Sequence, residues 1–312
     1  MPYALLFPGQ GAQFVGMGKD LAGAFPESRR IFEQADSILG FSLSRICFEG
    51  PLGELTRTEI CQPALYAASM AALAALDSEF RTRNSPFNPA AAAGLSLGEY
   101  TALAAGGALS FEEGLRLVQL RGQAMEEAAR LSPGTMASVL GMELEVLEPI
   151  CGQSGAQVAN INAPGQIVIS GSPEAVQAAS AKAKEQGAKR VVPLEVGGAF
   201  HSRLMEPAAG RLEGALQRVQ IDPPRFPVMS NVTGLPHSAP DQIRRLLVEQ
   251  LTRPVRWEAC VRALLEMGIR AFLEVGPGTV LKGLCRRIAP EAVVFSVGSA
   301  AEVREAALGA PS

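Results

Sequence analysis

Short apolar runs that suit strands alternate with helix-like stretches along most of this 312-residue chain. The first run, Tyr3–Phe7, ends in a glycine-rich turn, and the small-residue run 90–93 leads directly into a helix that extends to about Ala105. Apolar spacing indicates further helices over 27–39, 63–76 and 111–131. Strands that alternate with helices are typical of an α/β fold with a largely parallel sheet.

The middle of the chain has a different order of predicted strands and helices. Its strands and helices follow in the order β-α-β-β-α-β, over 135–142, 143–151, 158–161, 166–170, 173–186 and 190–196. That order is typical of a ferredoxin-like unit. We therefore predict an α/β-hydrolase-like large subdomain with a parallel sheet in two parts, 1–127 and 197–312, and an inserted ferredoxin-like (βαββαβ) small subdomain at 128–196. The second part continues with helices over 203–219, 241–251 and 257–267, strands over 270–275 and 292–296, and a short Ala/Gly tail.

The charges nearly balance, since 28 Lys and Arg face 31 Asp and Glu for a net charge of −3. That balance argues against general nucleic-acid binding, which needs a basic surface to displace phosphate counterions. Hydrophobic residues make up 47% of the chain and charged residues 19%. This composition supports a packed core and excludes a disordered chain.

No segment is convincing as a membrane span. The uncharged stretch 60–76 is mostly alanine and contains Gln62, Pro63 and Ser69, which favours a buried helix. Tyr3–Phe7 has no basic region before it and does not suit a signal peptide, so we expect a cytoplasmic protein. The five scattered cysteines form no Cys-x-x-Cys pair, so we expect neither a disulfide framework nor a metal site.

The segment Gly94-Leu95-Ser96-Leu97-Gly98 lies between a strand and a helix, as a nucleophile elbow does. A sharp turn there lifts the serine hydroxyl clear of the sheet edge, and the helix N-terminus favours developing negative charge. The five-residue pattern alone also fits a glycine-rich turn with an idle serine. Its position between a strand and a helix predicts that Ser96 is a nucleophile.

A serine nucleophile needs a base, and the chain has only two histidines. His201 follows the strand-like run that ends at Val196, in a loop at the same kind of sheet edge as Ser96. His237 lies in a turn whose residues suggest exposure. We therefore expect His201 to be the base and His237 to lie on the surface. The alternative for His201 is a loop histidine without a partner.

Arg121 shares one face of the helix predicted over 111–131 with apolar residues. The polar stripe of that helix comprises Arg116, Gln119, Gln123, Glu126 and Arg130. An unpaired guanidinium is costly to bury, so Arg121 must face either a protein carboxylate or an anionic ligand. Its flat fork suits a carboxylate in two-point contact. The spacing alone leaves both alternatives open.

Two glycine-rich turns fail the nucleotide-binding patterns. The turn after Tyr3–Phe7 has Phe14, and the turn at Gly276 has Leu281, where Gly-x-Gly-x-x-Gly requires its last glycine. The segment before Lys19 likewise lacks the first glycine of a P-loop. The first turn follows a strand, so its backbone N–H groups could face the Ser96 oxygen as an oxyanion hole.

Six motifs follow one another along the chain: Phe7-Pro8-Gly9-Gln10-Gly11-Ala12-Gln13, Gly94-Leu95-Ser96-Leu97-Gly98-Glu99-Tyr100, Leu120-Arg121-Gly122-Gln123-Ala124-Met125, Ala159-Asn160-Ile161-Asn162-Ala163-Pro164-Gly165-Gln166, Ala199-Phe200-His201-Ser202 and Glu274-Val275-Gly276-Pro277-Gly278. Together they closely resemble malonyl-CoA:acyl carrier protein transacylases and the acyltransferase domains of polyketide and fatty acid synthases. The resemblance extends from about residue 3 to residue 288, which is nearly the whole chain.

The resemblance implies a catalytic role for each matched residue. Ser96 would take a malonyl group as an ester, and His201 would be its base and later the acid that protonates the leaving thiolate. The backbone carbonyl of Gln250 would orient that histidine, in place of the Asp of a hydrolase triad. The backbone N–H groups of Gln10 and Leu97 would form the oxyanion hole.

The resemblance also implies the substrate-binding residues. Arg121 would bind the free malonyl carboxylate, with Gln62 near the same pocket, and Phe200 resembles the residue of malonyl-selecting members. Leu95 stands where histidine is commoner in the family, which leaves the fine acyl selectivity open. The implied reaction needs no cofactor. Its substrates are malonyl-CoA and holo acyl carrier protein, and the family is usually monomeric.

An acidic carrier protein needs a local basic patch on an enzyme whose net charge is −3. Lys282, Arg286 and Arg287 are spaced like one helix face and are our candidates. A solvated helix end fits these three residues equally well.

Three other functions stay open. A serine esterase or thioesterase would share the elbow and the histidine, although an inward Arg121 and the lack of an obvious acid disfavour it. A trans-acting polyketide acyltransferase would use another acyl-CoA. A non-catalytic relative would scaffold the carrier protein, which the intact Ser96, His201 and Arg121 disfavour.

Overall fold

The computed structural model describes residues 2–309. The strands in that range are β1 (Tyr3–Phe7), β2 (Ala91–Gly94), β3 (Thr135–Leu140), β4 (Gln157–Ala163), β5 (Gln166–Gly171), β6 (Arg190–Pro193), β7 (Ala271–Val275) and β8 (Val293–Val297). The helices are α1 (Lys19–Ala24), α2 (Pro26–Leu39), α3 (Leu43–Glu49), α4 (Leu52–Leu55), α5 (Thr58–Thr82), α6 (Gly98–Ala105), α7 (Phe111–Leu131), α8 (Leu144–Ser154), α9 (Pro173–Glu185), α10 (Glu206–Leu216), α11 (Pro240–Glu249), α12 (Trp257–Glu266), α13 (Val280–Ile288) and α14 (Ala300–Gly309).

The larger sheet is parallel throughout, with the strand order β2-β1-β7-β8. Strands β1 and β2 are buried along their whole length, which matches their uninterrupted apolar and small residues. Phe7 at the end of β1 pairs with Gly94 at the end of β2. The turns after these two strands therefore leave the sheet at the same edge. The predicted parallel α/β sheet is confirmed.

The smaller sheet is antiparallel, with the strand order β4-β5-β3-β6. Helices α8 and α9 pack on it through an apolar cluster of its own, which includes Val139, Leu147, Ile169 and Ala179. The chain order β3-α8-β4-β5-α9-β6 is the predicted βαββαβ order. The subdomain boundaries at 127/128 and 196/197 stay a prediction.

Two elements differ clearly from their predicted extents. Helix α5 covers Thr58–Thr82 rather than 63–76, because its outer turns also pack into the core, with Thr58 and Phe80 buried. The predicted Ala/Gly tail is wrong over 300–309, which form α14. Ala300, Val303 and Ala306 of α14 are buried at three-residue spacing, the pattern of a helix packed on one face. Residues 310–312 of that tail lie outside the described residues.

The remaining predicted elements agree with the observed bounds to within three residues. The run predicted to extend to Val196 ends as strand β6 at Pro193, one residue before the last hydrogen bond to β3, which the Leu194 N–H donates to the Met136 carbonyl (3.0 Å). The helix predicted from residue 203 begins with a 3-10 turn, Arg203–Met205, before α10. In residues 2–309, α5 is the one helix long and apolar enough to cross a membrane, and 72% of its most apolar window is buried inside the fold.

Two glycines allow three backbone segments to meet at the elbow after β2. A methyl group on Gly94 would overlap the backbone carbonyl of Gly98, and one on Gly98 would overlap the backbone carbonyl of Phe7. The spacing Gly-x-Ser-x-Gly is therefore required by the close approach of β1, β2 and α6.

We expect Gly94→Ala to lower the free energy of unfolding by roughly 1 to 3 kcal/mol, because the added methyl group overpacks a backbone contact. Gly210→Ala is the matched control. Gly210 lies on α10, where a methyl group would meet nothing within 4 Å, and alanine there should raise stability by about 0.5–1 kcal/mol. Urea unfolding followed by circular dichroism measures both. Equal stability of Gly94→Ala and the unmodified protein would contradict this packing.

Candidate active site

A cavity of about 190 Å³ opens where the carboxyl ends of β1 and β2 face the smaller sheet. Seven of the eight predicted site residues line it: Gln10, Gln62, Ser96, Leu97, Arg121, Phe200 and His201. Its apolar wall includes Leu95 and Met125, Val280 and Leu284 of α13, and Met136 and Val168 of the smaller sheet. Gln250 is fully buried and contacts the site from behind the lining residues. The structure thus brings all eight residues together.

Ser96 occupies the left-handed conformation that a nucleophile elbow requires, with φ 54°. Such a conformation costs a non-glycine residue roughly 1–2 kcal/mol. Asn231 holds the turn on both sides. Its Oδ1 accepts a hydrogen bond from the Ser96 N–H (2.6 Å), and its Nδ2 donates to the Gly94 carbonyl (2.8 Å).

His201 lies within hydrogen-bonding distance of the serine hydroxyl, with 2.8 Å between His201 Nε2 and Ser96 Oγ. His201 Nδ1 lies 2.7 Å from the backbone carbonyl of Gln250. A carbonyl oxygen can only accept, so Nδ1 carries the proton and Nε2 presents its lone pair to Ser96. Burial and the nearby Arg121 lower the pKa of His201 to about 4, against the opposing effect of the Gln250 carbonyl. The ring is therefore neutral at pH 7 and can accept a proton.

Arg121 is only 1% exposed, as predicted from its helix face. Its NH1 donates to Gln62 Oε1 (2.7 Å), and its NH2 donates to Gln250 Oε1 (2.9 Å) and to Ser96 Oγ (3.0 Å). The guanidinium also lies over the ring of Tyr100, 5.5 Å from its centroid. Within residues 2–309 no carboxylate forms an ion pair with Arg121. The protein itself thus leaves this buried cation without an anionic partner.

Gln10, in the turn after β1, and Leu97, in the elbow, line the same cavity as Ser96. Leu97 directly precedes α6, so its N–H belongs to the positive end of that helix. Neither backbone N–H is used in a hydrogen bond to another group of residues 2–309. Both donors can therefore bind an oxygen that becomes negative during attack by Ser96.

The prediction that His237 lies on the surface is wrong. Its side chain is fully buried, and His237 Nε2 lies 2.8 Å from Glu99 Oε1. The turn folds back on the sheet, because the His237 N–H donates to the Val228 carbonyl (2.8 Å) beside the bridge between Met229 and Pro236. The sequence did contain one signal for this site, since Glu99 is the only charge in the otherwise uncharged helix α6.

Two of the three side chains of the candidate basic patch already have hydrogen-bond partners within the protein. Arg286 and Arg287 are exposed at the end of α13, but Arg287 donates to the Pro164 carbonyl (3.4 Å) and Lys282 Nζ lies 3.4 Å from Ser296 Oγ. The role of these residues in carrier binding stays a prediction. Across residues 2–309 no group of three or more His, Cys, Asp or Glu side chains is arranged to hold a metal ion. All five cysteines are buried and free.

The site combines a serine hydroxyl at an elbow with a neutral imidazole aligned to it and two unused backbone N–H groups. These groups together can form and release an ester. The fold and this site define an enzyme of the acyl-transfer class. A sequence model of the family described as acyl transferase domain matches residues 4–303. The chain belongs to that acyltransferase family.

Relatives of known identity cover nearly the whole chain. Over 290 residues the chain is 45% identical to the malonyl CoA-acyl carrier protein transacylase of Bacillus subtilis. The matched residues make up 91% of this chain and 90% of the relative. The structure of the corresponding transacylase from Coxiella burnetii superimposes with a TM-score of 0.94 at 37% identity, over 99% of this chain and 97% of the other. A malonyl-transacylase solved in complex with a type II polyketide synthase acyl-carrier protein superimposes with a TM-score of 0.93 at 39% identity, over 99% of both chains.

We expect the imidazole of His201 to titrate near pH 4 rather than near 6.5, because burial and Arg121 disfavour its charged form. The ring signals can be followed by NMR between pH 8 and the acid limit of the fold, which circular dichroism defines. Since the chain has only two histidines, a His201→Asn variant assigns the signal. A midpoint near 6.5 would contradict the buried, aligned ring.

Proposed function

We propose that this chain transfers the malonyl group of malonyl-CoA to the phosphopantetheine thiol of a holo acyl carrier protein. The reaction is ping-pong and passes through a malonyl ester on Ser96. The names of its relatives support both substrates. The observation that carries the proposal is a buried arginine without a carboxylate partner, whose NH2 lies 3.0 Å from the nucleophile.

In the first half-reaction Ser96 Oγ attacks the thioester carbonyl carbon. His201 Nε2, 2.8 Å away, takes the hydroxyl proton as the bond forms. The thioester oxygen becomes negative and is bound by the N–H groups of Gln10 and Leu97. The C–S bond then breaks, His201 returns its proton to the departing thiolate, and free coenzyme A leaves a malonyl ester on Ser96.

The second half-reaction runs the same steps in reverse order with another thiol. His201 removes the proton of the phosphopantetheine thiol, and the thiolate attacks the ester carbonyl. The C–O bond to Ser96 breaks, and His201 returns the proton to Ser96 Oγ. The Gln250 carbonyl keeps the imidazole in the required tautomer throughout, because its contact with Nδ1 does not depend on the substrate (2.7 Å).

Arg121 selects the acyl group in this proposal. A malonyl carboxylate would satisfy the guanidinium in two-point contact close to the ester. An acetyl group would leave the same buried cation unpaired, at a cost of roughly 1–3 kcal/mol or more. Gln62 fixes the other side of the guanidinium, and Phe200 adds an apolar wall beside His201. This arrangement favours small acyl groups that carry a free carboxylate.

The proposed chemistry accommodates more than one acyl-CoA and more than one carrier protein. Leu95 lines the cavity where the family more often has histidine, so an acyl-CoA other than malonyl-CoA remains a competing substrate. A polyketide carrier protein and a fatty acid carrier protein offer the same phosphopantetheine thiol. No cofactor takes part in the proposed chemistry, and the enzyme acts as a monomer in the cytoplasm.

We expect intact mass spectrometry to show one added malonyl group after mixing with malonyl-CoA and its loss when holo carrier protein is added. Ser96→Ala should show no adduct, because the ester has no oxygen on which to form. Equally fast loss of the adduct without carrier protein would indicate a thioesterase. No adduct from malonyl-CoA or methylmalonyl-CoA would contradict catalysis and favour a scaffold.

We expect Arg121→Ala to slow formation of the malonyl ester by roughly 100-fold or more, because truncating one partner of a buried charge pair costs about 2–5 kcal/mol. The rate with acetyl-CoA should change far less. Arg116→Ala is the matched control, since Arg116 lies on the exposed face of the same helix. Equal slowing with malonyl-CoA and acetyl-CoA would contradict the assigned role of Arg121.

A further inference from the structure

A second buried charge lies behind the site and has no part in the reaction described above. Glu99 is fully buried in the first turn of α6, three residues after Ser96. Its carboxylate forms no ion pair with any lysine or arginine in residues 2–309. A buried carboxylate is costly unless other groups compensate its charge. The groups around Glu99 must therefore compensate its negative charge.

Three N–H groups face this carboxylate. Glu99 Oε2 accepts from Gln250 Nε2 (2.7 Å) and from the backbone N–H of Asn231 (3.0 Å). Glu99 Oε1 lies 2.8 Å from His237 Nε2. His237 Nδ1 is buried without a hydrogen-bond partner in the described part of the chain, so Nε2 is the ring nitrogen that donates to this carboxylate. Every one of these neighbouring groups is then a donor, and none of them is a lysine or an arginine.

The Gln250 side chain links Glu99 to Arg121. Its Nε2 donates to the Glu99 carboxylate, and its Oε1 accepts from Arg121 NH2 (2.9 Å). One amide therefore separates a buried anion from a buried cation. The negative charge of Glu99 also supports the charged form of Arg121. Burial lowers the pKa of this guanidinium, whereas Tyr100 and then Glu99 raise it.

The separation has a physical consequence. A carboxylate in direct contact with Arg121 would satisfy the guanidinium and compete with an acyl carboxylate. A carboxylate one amide away compensates the charge but leaves the guanidinium nitrogens available, and Arg121 Nε has no hydrogen-bond partner within residues 2–309. The same negative charge also repels an incoming anion over this short distance, since a low-dielectric interior screens charges weakly.

We propose that Glu99 is the internal counter-charge of Arg121 and sets how tightly the enzyme holds the acyl carboxylate. This inference rests on the proposed function. Glu99 acts on the substrate through Arg121 and Gln250, so it is a positioning residue and not a catalytic one. The charge of Glu99 stabilises the enzyme without substrate. It also weakens the binding of the malonyl group enough for the group to be transferred to the carrier thiol.

The test uses calorimetric titration in a Ser96→Ala background, where no ester can form. Glu99→Gln removes the charge at nearly constant size. We expect malonyl-CoA to bind about 10-fold more tightly to Ser96→Ala/Glu99→Gln than to Ser96→Ala, which corresponds to about 1.4 kcal/mol. Coenzyme A lacks the acyl carboxylate, so its affinity should be unchanged. A merely structural role would weaken binding or leave it unaltered, and either result for malonyl-CoA would overturn the proposal.

Glu274→Gln is the matched control. Glu274 is also fully buried, and among residues 2–309 its carboxylate accepts hydrogen bonds only from the backbone N–H groups of Leu281 and Lys282 (2.8 Å each). Burial raises the pKa of Glu274 to about 7, so the same substitution there replaces a partly ionised buried carboxyl group that has no hydrogen bond to Arg121. The affinities for malonyl-CoA and coenzyme A should both stay as in Ser96→Ala. Tighter binding of malonyl-CoA to this control as well would overturn the proposal.

A stability cycle tests the pair even if Glu99→Gln does not fold. We expect Glu99→Gln to destabilise the protein less in an Arg121→Met background than alone, because the cation that it leaves uncompensated is then absent. A double variant that folds while the Glu99→Gln single variant does not would support the pair. Equal losses in both backgrounds would contradict it. If Ser96→Ala binds malonyl-CoA no better than coenzyme A, the proposed role of Arg121 fails, which is a separate result.

Discussion

The buried guanidinium of Arg121 is the constraint on which the rest of the site depends. A fixed positive charge inside a protein must be solvated by the protein itself. Here amide oxygens from α5 and from the end of α11, a serine hydroxyl and an aromatic face take that role. None of these groups carries a full negative charge. The cation is therefore held in place without a carboxylate in direct contact, and the proposed function assigns that position to the acyl carboxylate of the substrate.

The fold provides this environment by bringing distant segments to one sheet edge. Helix α7, which carries Arg121, is fixed at its start by a capping box between Ser110 and Glu113. Parallel strands β1 and β2 place the turn that carries Gln10 and the elbow that carries Ser96 side by side. The smaller sheet closes the cavity opposite them and contributes Met136 and Val168. The cavity would thereby shield the proposed malonyl ester on Ser96 from bulk water, which a transferase needs more than a hydrolase does.

Much of this site was predictable because its parts are local patterns. The elbow around Ser96 depends on two glycines, because a methyl group at either position would overlap backbone atoms. The burial of Arg121 follows from its position on the apolar face of its helix. The pairing of His201 with Ser96 was predictable because the chain has only two histidines. Side-chain pairs between distant segments leave no such pattern. Glu99 and His237 are 138 residues apart, so the burial of His237 was missed.

The two errors in the fold have a similar origin. Helix α14 was predicted only as a tail, whereas Val303 and its buried neighbours pack on the core and stabilise a helix there. Helix α5 was predicted too short from the apolar spacing over 63–76, yet its outer turns also pack into the core, with Thr58 buried. Tertiary packing determines the extent of both helices, and the propensities of a single segment do not describe such packing.

The role of Arg121 is tested most directly by a crystal structure of Ser96→Ala bound to malonyl-CoA. We expect both oxygens of the malonyl carboxylate to lie within hydrogen-bonding distance of the Arg121 guanidinium, with the thioester carbon beside the position of the missing hydroxyl. A malonyl carboxylate that points to solvent, with Arg121 still bound only to Gln62 and Gln250, would contradict it.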